Sequence, residues 1–369
     1  MPKTRFVCVS DTHAYTPSEA GFRLPPGDVL IHAGDLTTRG SLSELQKTLQ
    51  WIIAADYEVK IVISGNHDIT LDPRCSPDNS KKALEEAPKC MEAIASSSSI
   101  LFLRHESALV RLTRPGGPNT VFTVFGSPYS PSRSHGTTST WTAFGYESEA
   151  APALWQLIPL DVDIVVTHTP PHSLCDRRTT TVGPEGCPAL RQRLARVRPL
   201  LAVCGHVHES RGCERVRWAS ASSPPASSIP LETEHVERVA LPPRGSKKQS
   251  LVDLTGKRTR RLENEGFAAE RMRMRNALPG TGLEANTRVL RLPRNETAVQ
   301  WLMDDDGDEE DDGFRARRRE SCVINAATLA TSWPHPHGKL FNAPIVVDLD
   351  LPRWKGWCDR SGVDWHPPS

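Results

Sequence analysis

The feature that most constrains this chain is a series of short apolar runs, most of them followed at once by Asp, Asn or His. Six runs have the length and residue types of buried strands: Val7 to Ser10, Val29 to Ala33, Ile61 to Ser64, Val121 to Phe125, Ile164 to Thr167 and Leu201 to Cys204. Helix-spaced apolar residues occupy Leu42 to Ala54, Ala83 to Ala95 and Ala189 to Val197. Strands that alternate with helices predict an α/β architecture with helices covering the sheets.

The polar residues after these runs are of the types that bind metal ions. Asp11 and His13 follow the first run, and His206 and His208 follow the last. In extended backbone an i, i+2 pair points to the same side, so each pair can bind one ion. Single candidates follow three other runs: Asp35, Asn66 and His168. Ligands gather at the carboxyl ends of strands in α/β sheets, so we expect the seven residues to converge on one cleft.

The order of these residues also carries a resemblance. Asp-x-His, Gly-Asp, Gly-Asn-His-Asp, Thr-His and Gly-His-x-His is similar to the signature of the calcineurin-like metallophosphoesterase superfamily. More narrowly, the chain resembles its metallophosphoesterase-domain (MPPED-type) branch, over roughly residues 4–218 and 320–353. The resemblance implies an αββα sandwich, in which two packed mixed β-sheets are flanked by helices and the site lies at the sheet ends.

The resemblance also implies two metal ions and assigns their ligands. The residues expected at the first ion are Asp11, His13 and His208. Those expected at the second ion are Asn66, His168 and His206. Asp35 is expected to bridge the two. Imidazole, carboxylate and amide oxygen ligands suit Mn, Fe or Zn, and the sequence does not choose among these divalent ions.

Two further residues are candidates for the chemistry itself. Two ions that share a carboxylate and a water would activate that water to attack phosphorus. His67 is the family's candidate for giving a proton to the departing alkoxide, the alternative being a supporting hydrogen bond beside the ligands. Asp68 is expected either to orient the His67 imidazole or to cap a helix.

The predicted function is a metal-dependent phosphoesterase that cleaves phosphodiesters, with cyclic nucleotides as one candidate, or phosphomonoesters. The expected partner is a small phosphoester. A metal- and nucleotide-binding regulator with negligible turnover stays open as the alternative. A phosphoprotein phosphatase is less favoured: Arg39 follows Asp35 at a suitable spacing, but a Val-Asp pair is missing and Asp68 replaces the expected Glu.

The roles of several other residues stay open. His32 lies inside a strand run and is expected in the core, and His172 could border the pocket. Three aromatic residues follow a Gly-Ser-Pro turn and either stack a nucleobase or fill the core, with the core slightly favoured: Tyr129, Trp141 and Phe144.

Residues 219–319 differ sharply from their surroundings in composition. They are rich in Ser, Pro, Arg and Glu, and the acidic run Asp304 to Asp312 is followed by the basic cluster Arg315 to Arg319. Such blocks are typical of solvated, disordered chain. We predict one domain (1–218 and 320–353) interrupted by a disordered insertion (219–319), which holds one short strand candidate at Gln249 to Leu254, and followed by an irregular tail (354–369). Cys322 to Ala327 and Pro344 to Leu349 are expected to close the sheet that starts near residue 5.

Composition argues against other classes of protein. No stretch approaches the roughly 18–20 apolar residues that span a bilayer, and a net charge of +1 gives no global reason for membrane or nucleic-acid binding. The nine cysteines form no Cys-x-x-Cys pair, and Met1 to Ser10 lacks a signal-peptide pattern. Reduced thiols and a cytoplasmic location are expected, with a nuclear one left open by the basic clusters. The insertion could bind protein partners, but no feature of the sequence supports this.

Overall fold

Two mixed β-sheets pack face to face in the computed structural model of the chain and carry helices on their outer faces. The structure describes residues 1–74, 77–132, 142–178, 183–219, 233–264, 289–292, 317–332, 335 and 338–354. The strands are β1 (Lys3–Val9), β2 (Val29–Ala33), β3 (Val59–Ile63), β4 (Ile100–Phe102), β5 (Glu106–Arg111), β6 (Val121–Ser127), β7 (Ser130–Pro131), β8 (Gly145–Tyr146), β9 (Ile164–Thr167), β10 (Leu201–Cys204), β11 (Gly212–Trp218), β12 (Thr233–Arg238), β13 (Ser250–Asp253), β14 (Val289–Arg291), β15 (Glu320–Asn325) and β16 (Ile345–Asp350).

The helices are α1 (Leu42–Ala54), α2 (Pro77–Ala95), α3 (Ala151–Gln156) and α4 (Pro188–Val197), with short 3-10 helices at Ile69–Leu71, Ser148–Ala150 and His208–Ser210. Helix α1 begins with a capping box, in which Ser41 and Glu44 each accept a hydrogen bond from the other's backbone N–H. None of the helices in the described part of the chain combines the length and apolarity that crossing a membrane requires.

The first sheet has six strands in the order β13-β16-β1-β2-β3-β4. Strand β1 pairs in parallel with β2 and antiparallel with β16. The second sheet has eight strands in the order β12-β11-β15-β10-β9-β6-β5-β14, and its four central strands run parallel. The parallel strands of each sheet end at one edge, where the polar residues that follow them meet.

Side chains of the central strands are buried on both faces of each sheet. Phe6 and Cys8 of β1 point into the core between the sheets, whereas Val7 and Val9 pack on the side of α1 and α2. Val165 of β9 likewise packs on the side of α3 and α4. Burial on both faces explains why these strands are continuous apolar runs and not alternating ones. The expected αββα sandwich is confirmed.

All of the predicted strands and helices are present, and four match the expected bounds: β2, β9, β10 and α1. Strand β16 closes the first sheet beside β1, as predicted. The expectation for β15 was wrong, because it pairs with β10 and β11 in the second sheet. Sequence reasoning missed β11, whose Arg215 is buried against Glu320 and gives the strand a polar appearance.

The segment 219–319 differs from the expected disordered insertion in its described parts. Strand β13 lies within the predicted Gln249 to Leu254 and pairs with β16, while β12 and β14 extend the two edges of the second sheet. Leu254 and Leu262 belong to the core between the sheets. Short strands that add to an existing sheet need few apolar residues, so composition alone missed them. The run Asp304 to Asp312 and the tail from residue 355 lie outside the described residues.

One residue of the predicted basic cluster, Arg318, is fully buried. Its guanidinium donates to the carbonyl oxygen of Val162 (2.7 Å) and forms a charge-assisted hydrogen bond with Asp163, which is also fully buried. The other carboxylate oxygen of Asp163 accepts the backbone N–H of Thr123 at 3.0 Å. The pair therefore ties the end of the charged segment to β9 and β6.

Replacing Arg318 with glutamine is expected to lower the free energy of unfolding by about 3–5 kcal/mol, because the Asp163 charge stays buried without its partner. Urea denaturation measures this loss. Arg319→Gln, at the neighbouring exposed position, serves as the control and is expected to change stability by less than about 0.5 kcal/mol. Equal losses in the two variants would contradict the assignment.

Candidate metal centre

Loops that follow β1, β2, β3, β9 and β10 meet at one edge of the sandwich and bring the seven candidate ligands together. Four of them form one group: Asp11, His13, Asp35 and His208 each contribute an atom, and these atoms lie within 4.8 Å of one another. The Nε2 atoms of His13 and His208 are 3.2 Å apart, and Asp11 Oδ1 lies 3.3 Å from His208 Nε2. This group could hold a metal ion.

The other three candidates lie on the far side of Asp35. Asn66 Oδ1 is 2.9 Å from His168 Nε2 and 2.8 Å from His206 Nδ1. Asp35 Oδ1 is 3.4 Å from His168 Nε2, while Asp35 Oδ2 is 3.7 Å from His13 Nε2. One carboxylate thus presents an oxygen to each group.

The loops reach this arrangement through unusual backbone. Asp11, His13, Asp35 and His206 all have positive φ, between 45° and 66°. Such left-handed conformations cost about 1–2 kcal/mol each for residues with a Cβ. Backbone hydrogen bonds between the first two loops hold the strained residues, since the N–H groups of Asp11 and His13 donate to the carbonyls that follow β2, at 2.9 and 3.0 Å.

Two glycines permit the close approach of the loops. A Cβ on Gly65 would overlap the Asp35 carboxylate, and a Cβ on Gly205 would overlap the carboxylate of Asp11. Neither carboxylate can give way without leaving its histidine neighbours. These glycines are therefore required for space around the ligands.

Four imidazole rings are each held by a hydrogen bond to a backbone carbonyl oxygen. The Nδ1–H groups donate in these pairs: His13 to Thr37 (3.2 Å), His67 to Thr38 (2.8 Å), His168 to Ala33 (2.9 Å) and His208 to Thr331 (3.0 Å). A carbonyl oxygen can only accept, so Nδ1 carries the proton and the neutral ring keeps its lone pair on Nε2. This arrangement is common for histidines that bind metals.

The facing lone pairs provide a test of whether a metal fits. Because His13 and His208 both donate through Nδ1, their Nε2 atoms face each other across 3.2 Å, and when both rings are neutral these atoms present lone pairs to each other. Two lone pairs at this distance repel each other, and a cation between them turns the repulsion into attraction. With the Asp11 and Asp35 carboxylates beside them, the residues fit a divalent metal ion.

The electrostatics of the site favour charged carboxylates and a neutral His13. At His168 and His208 burial lowers the pKa, but the Asp35 and Asp11 carboxylates outweigh it and raise the pKa, to about 9 for His168, so a metal ion would have to displace these protons. Burial raises the pKa of Asp11, but the hydrogen bond and charge of His208 outweigh it and lower the pKa to about 2. At Asp35 burial again raises the pKa. Nearby imidazoles, chiefly His168, outweigh this effect and hold the pKa well below its usual value. Burial lowers the pKa of His13 to about 3. At neutral pH both carboxylates are therefore charged, and the His13 lone pair is available.

The structure corrects both roles expected for Asp68. Its carboxylate accepts hydrogen bonds from the backbone N–H groups of Leu36 (3.1 Å), Thr37 (2.9 Å) and Gly65 (2.8 Å). It neither orients the His67 imidazole, which Thr38 holds, nor caps the 3-10 helix Ile69–Leu71. Burial and the Asp35 charge raise the pKa of Asp68 to about 6. Asp68 acts by fixing the loops after β2 and β3.

Other candidates lie outside the two groups of ligands. His32 is buried in β2, with Nε2 2.8 Å from the Thr12 hydroxyl, as expected for a core residue. Phe144 is buried and Tyr129 packs against the core, which confirms the interpretation favoured for them. Trp141 lies outside the described residues.

Sequence reasoning missed the loop between β15 and β16. Its Thr331 carbonyl holds His208, and its Leu329 N–H donates to the carbonyl of Asp11 at 3.2 Å. Every residue carries a carbonyl, so nothing local in the sequence marks these positions. The loop is thus a wall of the site that only the three-dimensional structure reveals.

An αββα sandwich with paired groups of histidine and carboxylate ligands at its strand ends is the architecture of a metallophosphoesterase. A family model described as calcineurin-like phosphoesterase matches residues 4–210, which is more than half of the chain. The chain belongs to this family.

Two curated relatives illustrate how much of the chain is shared. A protein named probable rhamnogalacturonate lyase C, from Emericella nidulans, is 38% identical over 216 residues, which are 58% of this chain and 18% of that protein. Metallophosphoesterase domain-containing protein 1 of Homo sapiens is 36% identical over 222 residues, which are 57% of this chain and 62% of that protein. In both cases the chain spans less than two thirds of its relative. Purple acid phosphatase PPD1 from yellow lupin seeds is 14% identical, over 59% of this chain and 40% of that one, with a TM-score of 0.31 that is too low to support any inference.

Proposed function

We propose that the protein is a metal-dependent phosphoesterase that uses two divalent ions, Mn, Fe or Zn, to hydrolyse small phosphodiesters or phosphomonoesters. The observation that supports this most is the position of Asp35, one carboxylate with an oxygen toward each group of ligands. When bound, such ions activate water and neutralise charge on the phosphoryl oxygens.

The two groups of side chains would hold one ion each. The first ion would take Asp11, His13 and His208. The second would take Asn66, His168 and His206. Asp35 would be shared. His206 presents Nδ1 to Asn66 and would therefore bind through Nδ1, unlike the other three histidines.

We assign to His67 the protonation of the leaving group. Its Nδ1–H is committed to the Thr38 carbonyl, so Nε2 is the atom that can transfer a proton. Its backbone N–H donates to Asp35 Oδ1 at 2.9 Å, and its ring centroid lies 4.8 Å from that of His13. In hydrolysis, the oxygen of water bonds to phosphorus as the P–O bond to the leaving group breaks. The leaving oxygen takes a proton from His67, and the proton released by the water replaces it.

Reconstitution with Mn, Fe, Zn or Mg, followed by a substrate panel, tests this proposal. Bis(p-nitrophenyl) phosphate, cyclic nucleotides, p-nitrophenyl phosphate and a phosphoserine peptide are assayed while bound metal is measured. We expect turnover of small phosphoesters that needs the metal and is lost on chelation, with two ions per chain. A folded protein that binds metal but turns over none of these would be a regulator. Activity confined to the peptide would indicate a phosphoprotein phosphatase, which the missing Val-Asp pair and Asp68 in place of Glu do not favour.

A further inference from the structure

Asn325, the last residue of β15, is fully buried and contacts two loops that carry candidate ligands. Its Nδ2 amino group lies within hydrogen-bonding distance of the carbonyl oxygens of Cys175 (3.1 Å), Gly205 (3.3 Å) and Val207 (2.9 Å), and its Oδ1 accepts the N–H of Ala327 (3.1 Å). A flipped amide would set an oxygen against three carbonyl oxygens, so these bonds fix its orientation. The side chain thus joins the loops that follow β9 and β10 to the end of β15.

Two of these carbonyls flank a candidate metal ligand. His206 lies between Gly205 and Val207 with a φ of 66°, and the Val207 N–H donates to the Gly205 carbonyl at 2.7 Å. A three-residue turn with a positive φ at its centre is rare and strained, and it persists only where the surrounding structure holds it. Asn325 contacts the carbonyl on each side of the strained residue. Because His208 directly follows Val207, the same contact also fixes the backbone from which His208 extends.

Asn325 also directs the chain on the other side of the site. The hydrogen bond that its Oδ1 accepts fixes the direction in which the chain leaves β15. Further along, the Leu329 N–H donates to the carbonyl of Asp11 at 3.2 Å, and the Thr331 carbonyl accepts from His208 Nδ1 at 3.0 Å. His208 is therefore held twice, at its backbone by Asn325 and at its imidazole by the chain that Asn325 directs.

The opposite end of β15 carries an amide with a structural role alone. The Asn264 side chain donates to the carbonyl of Glu320 at 2.7 Å and accepts its N–H at 2.9 Å, and Glu320 is the first residue of β15. Both bonds secure the strand at the end away from the ligand loops. Asn264 and Asn325 thus hold the two ends of one strand, and of these two residues Asn325 is the one that contacts a ligand loop.

Resting on the proposed two-ion phosphoesterase, we infer that Asn325 is a positioning residue that keeps His206 and His208 at the spacing with which each binds a different ion. It acts through the backbone of the His206 turn and not as a ligand. Loss of its amide would release the backbone of one ligand from each group, so both ions should be weakened together. Contacts that orient ligands in this way are typically worth about 10–100-fold in metal affinity.

Equilibrium dialysis of the metal-loaded protein against buffers of decreasing free Mn²⁺ measures the affinity for both ions. We expect Asn325→Ala to weaken the binding of both about 10–100-fold. The matched control, Asn264→Ala, loses two hydrogen bonds at the other end of the same strand, so its Tm should fall while its Mn²⁺ affinities keep their wild-type values. Asn325→Ser retains a hydroxyl that can donate to one carbonyl, and its affinities should lie between those of wild type and Asn325→Ala. This milder variant tests the same point if Asn325→Ala does not fold.

Wild-type Mn²⁺ affinities in the folded Asn325 variants would overturn the inference. A loss confined to one ion would also overturn it, as would an equal loss in Asn264→Ala. None of these results affects the phosphoesterase proposal, which is judged by turnover. A wild type that binds two ions yet hydrolyses no phosphoester overturns that proposal, while weaker binding of both ions in the Asn325 variants still supports the positioning role. A wild type that binds fewer than two ions overturns both.

Discussion

Replacing Asp35 with asparagine is expected to lower kcat/KM at least about 10³-fold and to reduce the bound metal at both groups of ligands. Asp35 has one oxygen toward His168 and the other toward His13, so a neutral amide removes negative charge from both groups at once. The amide would also turn an N–H donor toward one of these groups. Metal analysis of the purified variant, together with turnover of bis(p-nitrophenyl) phosphate, measures both effects.

Asp56→Asn is the matched control for this substitution. The Asp56 side chain is 91% exposed and pairs with Arg114 at 2.9 Å on the surface, so activity and metal content should stay at wild-type levels. An Asp35→Asn protein that retains two tightly bound ions would contradict the shared position of this carboxylate.

Replacing His67 with glutamine is expected to lower kcat about 10²–10⁴-fold for alkyl phosphodiesters, and far less for p-nitrophenyl esters. An alkoxide needs a proton as it departs, whereas nitrophenolate leaves without one. Glutamine can still donate to the Thr38 carbonyl that holds His67, so the bound metal should not change. Parallel kinetics on the two classes of substrate, with pH profiles, separate loss of the acid from loss of structure.

His235→Gln, on an exposed position of β12, controls for the loss of a histidine and should leave both activities unchanged. Equal losses on the alkyl and aryl substrates in His67→Gln would indicate that His67 only positions its neighbours. The predicted proton transfer would then be wrong.

The fold could be predicted where burial leaves a strong pattern in the sequence. Strands β2, β9 and β10 are covered on both faces, and their apolar runs gave the correct bounds. Strand β11 was not predicted, because Arg215 is buried through its ion pair with Glu320, a partner more than a hundred residues away. Strands β12 and β14 of segment 219–319 were not predicted, because they extend a sheet that other strands already form. In each case the missing information is a partner distant in the sequence.

The candidate site was also predictable only in part. The positions of the candidate ligands followed from strand ends, since the chain direction decides where residues after parallel strands must meet. The groups that hold those ligands in place could not be predicted from strand ends. The Thr331 carbonyl behind His208 and the N–H groups that hold the Asp68 carboxylate are backbone groups, which are the same at every position. The misassigned role of Asp68 has this origin, because its side chain looked like a partner of its neighbour His67.

The pairing of β1 with β16 has a consequence for how the protein is made. Lys3 lies opposite Asp350, so the strand that leads to Asp11 and His13 is synthesised more than 300 residues before its neighbour. At about 5–20 residues per second, a ribosome needs tens of seconds to bridge that gap. Throughout this interval the nascent chain keeps one side of β1 without its final partner, and an open strand edge invites pairing with other chains. A chain whose synthesis stops before β16 would therefore have all seven ligand residues and an exposed strand edge that can pair with other chains.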